Sequence, residues 1–126
     1  MADALLYAHL DRLLGAGLAS LAVGLLLLAL RPATRPFGLM TAAWGAIDAL
    51  IALASRSSRV APLPTLVPFV AFNEGLNVAY VAVGATMALL AGERRAIRAF
   101  GLAVVVQGAI LLALDGWLWK ELTSLP

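Results

Sequence analysis

Four apolar stretches divide the chain, separated by short connections that hold most of its arginines and prolines. The first runs from about Leu13 to Leu30, with a helical lead-in from Ala4. The second runs from Phe37 to Ala54, the third from about Leu66 to Ala91 and the fourth from Ile97 to Trp119. Each has the roughly 17–25 residues that a helix needs to cross the hydrocarbon layer of a bilayer. The pattern predicts an all-α, polytopic bundle of four transmembrane helices in a single domain, 1–126, with helices at about 4–30, 37–55, 66–91 and 97–121. Pro32 and Pro36 mark the first connection, residues 55–64 form the longest one, and residues 92–96 make a tight third turn. Pro68 is expected in the first turn of the third helix, where proline is tolerated. The leader carries Asp3, His9 and Asp11 against one cation, Arg12. It lacks the basic start of a signal peptide, and the first stretch reads as a retained helix.

Composition supports the membrane reading. Hydrophobic residues make up 63% of the chain and charged residues 13%, with a mean hydropathy of +0.96. A soluble domain averages about 45–50% apolar and about 25% charged. The net charge is +2, and the basic residues flank the apolar stretches in the manner of membrane anchors, not of a nucleic-acid patch. No nucleic-acid partner is expected; the expected partner is the lipid bilayer. There is no cysteine, which excludes disulfides, thiolate catalysis and iron–sulfur clusters. A single histidine, His9, excludes a multi-histidine metal site within one chain.

The chain repeats itself. Shifted by 63 residues, ArgProPheGlyLeu at 35–39 lies on ArgAlaPheGlyLeu at 98–102, GlyAlaIle at 45–47 on GlyAlaIle at 108–110, and 16 of the 63 aligned pairs are identical. The expected architecture is two parallel helical hairpins, 1–63 and 64–126, related by a pseudo-two-fold axis along the membrane normal. One membrane face holds both termini and the middle connection with Arg12, Arg56, Arg59 and Lys120. The other holds Arg31, Arg35, Arg94, Arg95 and Arg98. This small bias places the termini outside the cytoplasm under the positive-inside rule.

Polar residues within lipid are costly and mark functional sites. Counting turns from the termini face at about 1.5 Å per residue, Asp11, Asp48, Glu74 and Asp115 are all expected about 10 Å inside, one from each helix. Asn73, Asn77, Tyr80 and Gly84 recur at steps of four, three and four on the third helix, with Glu74 at the edge of the stripe. Thr41, Trp44, Gly45 and Asp48 follow similar spacing on the second, Gln107, Gly108, Leu111 and Asp115 on the fourth, and Ala8, Asp11, Gly15 and Ala22 on the first. Small residues on such stripes let helices approach closely. The expected site is a carboxylate- and amide-lined pocket built from Asp11, Trp44, Asp48, Asn73, Glu74, Asn77, Tyr80, Gln107 and Asp115. Trp44 is a candidate for its floor. The alternative is that these groups only hydrogen-bond helix to helix, with Asp11 paired to Arg12 at the interface. Trp117 and Trp119 read as an interfacial aromatic belt. His9 and Asp11 do not share a helical face, and no metal site is expected there.

TrpGlyAlaIleAsp at 44–48, AsnGluGlyLeuAsnValAlaTyr at 73–80 and ValGlnGlyAlaIleLeuLeuAlaLeuAsp at 106–115 resemble a group of small bacterial four-helix membrane proteins known as a domain of unknown function. The resemblance implies a prokaryotic plasma membrane and gives weight to Asp48, Asn73, Asn77, Tyr80, Gln107 and Asp115. The chain also shares helix number and length with the small multidrug transporters, an analogy of architecture only. Three functions follow as expectations: binding of a cation or a small amphipathic ligand, proton-coupled transport by a homodimer, and a structural or assembly role. No cofactor is specified. An enzyme would have only the carboxylates and Tyr80 as acid–base groups, and the reading leans away from one.

Overall fold

The computed structural model describes residues 1–126 and is built from four long helices without strands. They are α1 (Ala2–Leu30), α2 (Arg35–Arg56), α3 (Leu63–Leu90) and α4 (Arg95–Thr123). A single 3-10 turn, Pro32–Thr34, joins α1 to α2. There the Thr34 hydroxyl shares its one proton between the carbonyls of Leu27 and Arg31, at 2.8 and 2.9 Å, and so caps the end of α1. Proline sets φ at the starts of α2 and α3, at Pro36 and Pro64, where no helical N–H donor is missed. Because α3 starts at Leu63, Pro68 lies in its second turn and not its first, so one intrahelical hydrogen bond is absent there.

All four helices are long and apolar enough to cross a membrane. Only 26 of 126 residues are buried, and leucines such as Leu26, Leu50 and Leu89 face outward. In water such a surface would drive aggregation; in lipid it is the solvated face.

The helices pair as two hairpins, α1 with α2 and α3 with α4, and α4 joins them by packing on α1 and α2 as well. Glycines form the hairpin seams. A Cβ on Gly17 would stand 2.8 Å from the Ala49 backbone nitrogen, and one on Gly84 would stand 2.7 Å from the Gly101 carbonyl oxygen. Gly24, Gly38 and Gly45 are equally closed by backbone in the first hairpin, as is Gly101 in the second. Lipid gives apolar side chains no reward for associating, so close backbone approach is what holds such pairs together. The third connection turns at Gly92, whose φ of +56° suits glycine best. Gly92→Ala is therefore expected to lower stability by about 1 kcal/mol, readable as a shift in the detergent-unfolding midpoint, whereas Gly75→Ala, with open space at its Cβ position, is expected to leave it unchanged or raise it.

Candidate functional site

Two hydrogen-bonded chains of side chains cross the bundle, each joining three helices with α4 at its centre. In the first, Gln107 Nε2 on α4 donates to Asp48 Oδ2 on α2 at 2.5 Å, and Ser20 Oγ on α1 donates to Gln107 Oε1 at 3.3 Å. In the second, Asn77 Nδ2 on α3 donates to Asp115 Oδ2 on α4 at 2.7 Å, and His9 Nε2 on α1 lies 3.2 Å from Asp115 Oδ1. Gln107, Asp48, Asn77 and His9 are all at least 95% buried. Gln107 and Asp115 are eight residues apart, so the two chains cross about 12 Å apart along α4.

Beside them is a cavity of about 580 Å³ lined by all four helices and the middle connection. That is the size of a small-molecule site. It opens toward the face carrying the termini, where Ser55, Ser58 and Arg59 border it. Its deepest lining residues on α2 and α3 are Trp44 and Tyr80, whose rings meet edge to face with centroids 5.0 Å apart and close the inner end. Leu10, Leu13, Leu66 and Val70 supply apolar wall; His9, Asp48, Asn73, Asn77, Tyr80 and Asp115 supply the polar groups. Asn73 and Tyr80 make no side-chain hydrogen bond within the chain, and Asp48 Oδ1 accepts none. Asp48 has no basic side chain paired with it either, in contrast to Asp115, which has His9. A buried carboxylate without such a partner is balanced by a proton or by a bound cation. No three His, Asp or Glu side chains converge as a metal-binding group.

Of the residues singled out in the sequence, Trp44, Asp48, Asn73, Asn77, Tyr80 and Asp115 line this one cavity, and Gln107 stands behind it holding Asp48. Asp11 does not reach it. It lies on the opposite flank of α1, exposed, and forms an ion pair with Arg56, not with Arg12. Arg12 lies instead over the Trp117 ring, 3.7 Å from its centroid, a cation–π contact between α1 and α4. Glu74 also lies outside the cavity. One residue past Asn73 turns a side chain by about 100°, which sends Glu74 to the outer side of the α3–α4 seam, into a small groove with Gly75 and Trp119 and against Gly116. Its Oε2 is buried there without a hydrogen-bond partner. The four carboxylates therefore do not share one site; two of them do.

His9, weighed from the sequence only as a metal ligand beside Asp11, and Ser20 are the polar members of the two chains that the expected pocket lacked. On α1 the buried positions are His9, Leu10, Leu13, Gly17, Ser20 and Gly24; apart from Leu10 they are spaced four, four, three and four, while Gly15 and Ala22 of the expected stripe are exposed. The signal was the polar and small residues at that spacing.

The fold and site define a multi-pass integral membrane protein, a four-helix bundle with a buried polar cavity. A family model described as a family of unknown function, DUF6992, matches residues 12–116, and the chain belongs to that family. No curated protein and no solved structure matches it.

Proposed function

We propose that this protein binds, within the membrane, a small molecule whose head group carries an organic cation, and that Asp48 is its anchor. The observation that carries the reading is the state of Asp48: 2% exposed, one oxygen held by Gln107, the other without a partner on the wall of a 580 Å³ cavity, and no basic side chain to balance it. Asp115 adds a second carboxylate nearby, oriented by His9 and Asn77. Asn73 and Tyr80 offer unused hydrogen-bonding groups, and the Trp44 and Tyr80 rings offer faces for cation–π attraction. An organic ammonium suits this set better than a bare metal ion, which needs several convergent oxygen ligands. The aromatic floor and the glycine seams beyond it favour binding from one side over passage through the bundle.

The finer placement belongs to the same proposal. The excess of arginine on the opposite connections puts the cavity mouth outside the cytoplasm, in a bacterial plasma membrane. Gly38 and Gly45 of α2, and Gly101 and Gly108 of α4, stand 63 residues apart in register and each seats against the preceding helix, which supports duplication of one hairpin.

The test uses Trp44 as reporter in a Trp117→Phe, Trp119→Phe background. Propylammonium is expected to change Trp44 emission saturably. Asp48→Asn is expected to weaken the response about 30-fold, a loss of about 2 kcal/mol for one partner of a buried charge pair. Glu74→Gln is expected to leave it unchanged. Retention in Asp48→Asn with loss in Glu74→Gln would place the site on the wrong side of α3.

A further inference from the structure

One side of this cavity is not closed by protein. α3 approaches α4 along its length but keeps its backbone away from α1 and α2. The aromatic contact that bridges α2 and α3, Trp44 on Tyr80, lies at the inner end. Between it and the mouth, three side chains both line the cavity and stand on the outer surface: Ile51 on α2 is 50% exposed, and Phe69 and Leu76 on α3 are 59% and 37% exposed. All three are apolar, and at this depth the bundle's surroundings are acyl chains. Across the cavity from them the wall is polar and buried, with Asp48, Asn77 and His9 at 2, 3 and 5% exposure. Polarity therefore runs sideways through the cavity, from a hydrophobic window on the lipid to carboxylates inside. The aqueous mouth has the opposite bias for a cation, because Arg59 borders it.

We infer that the ligand is a single-chain amphiphile with an ammonium head, taken laterally from the lipid through the gap between α2 and α3. The head lies at Asp48 and Asp115 and the alkyl tail lies outward past Ile51, Phe69 and Leu76. The inference rests on the reading of Asp48 as the cation anchor and adds the ligand class and the path. It accounts for a cavity far larger than a head group requires, and for an apolar window that is open to the lipid.

The experiment uses the whole protein in lipid nanodiscs with two probes. One is dodecylamine carrying a diazirine at the tail end; the other is radiolabelled propylamine, which has the same head and no tail. Photolysis is expected to label the α2 and α3 peptides that contain Ile51 and Phe69. Filling the window with Ile51→Trp and Leu76→Trp together is expected to lower that labelling at least tenfold while propylamine still binds, which also shows that the variant is folded. Asp48→Asn is expected to weaken propylamine binding about 30-fold and to lower the window labelling with it. Labelling that is unaffected by the two tryptophans, or that falls on residues away from the gap, would overturn lateral access. If propylamine binds and dodecylamine does not label the window, the inference falls and the head-group site stands. If propylamine fails to bind the unaltered protein, the head-group reading fails and the inference with it.

Discussion

Replacing Gln107 with leucine is expected to destabilise the bundle by about 3 kcal/mol, well beyond the worth of the hydrogen bonds it removes. A side-chain hydrogen bond between helices in lipid contributes only about 0.6 kcal/mol on average, so Ser20→Ala, which removes the 3.3 Å bond to Gln107, is expected to cost no more than that. Gln107 has a second task. Its amide is the donor to a carboxylate that is 2% exposed and has no basic partner. Leucine is close in volume and leaves no cavity, so the cost arises from Asp48, buried on the cavity wall with neither oxygen satisfied within the chain. Stranding one partner of a buried polar pair that carries charge costs about 3–5 kcal/mol, while replacing both partners with apolar residues is often neutral. The Gln107→Leu, Asp48→Leu double variant is therefore expected to recover most of the loss. A double-mutant cycle in mixed micelles, followed by helix content against detergent fraction, measures the coupling. Additive losses would mean that Gln107 does not hold Asp48.

Gly45→Val is expected to separate α1 from α2. A Cβ at Gly45 would lie 2.5 Å from the Gly17 carbonyl oxygen and 2.9 Å from the Ser20 carbonyl carbon. These are backbone atoms, so no rotamer change relieves the overlap and the helices must move apart. Overpacking of this kind costs about 3 kcal/mol, and in lipid no hydrophobic gain offsets it, because the displaced surfaces are equally well solvated by acyl chains. Ser20 lies in the same seam, so the Ser20–Gln107–Asp48 chain is expected to loosen with it. Gly15→Val on the facing helix, α1, meets open space and serves as the control. Paired cysteines introduced across the seam, in a chain that has none of its own, would report the separation as lost cross-linking. Unchanged cross-linking in Gly45→Val would show that the glycine seam does not set the distance between α1 and α2.

The four helices were legible because a bilayer demands long apolar stretches, and the chain has four. The inward faces of α2 and α4 were legible as well. Asp48, Gln107 and Asp115 are the expensive residues in those helices, and the small and polar positions beside them recur at three and four. α1 and α3 were harder. Lipid solvates leucine and valine as well as a core does, so an apolar helix carries little asymmetry to read, and the chosen stripe through Asp11 and Gly15 faced outward. The better guide on α1 was the run His9, Gly17, Ser20 and Gly24, whose buried positions now account for the polar chains and the seam. Glu74 was misplaced for a related reason. It is adjacent to Asn73, but adjacency on a helix means a different face, and the α3–α4 seam falls between them. Nor could spacing alone pair Asp11 with Arg56 or place Arg12 over Trp117, since both contacts join residues on different helices.

Native mass spectrometry of the protein extracted in mild detergent tests the central claim most directly. A reproducible extra mass of the size of a small amphiphile is expected on the unaltered protein, lost in Asp48→Asn and retained in Glu74→Gln. An extra mass that survives Asp48→Asn, or one that disappears only with Glu74→Gln, would contradict the claim.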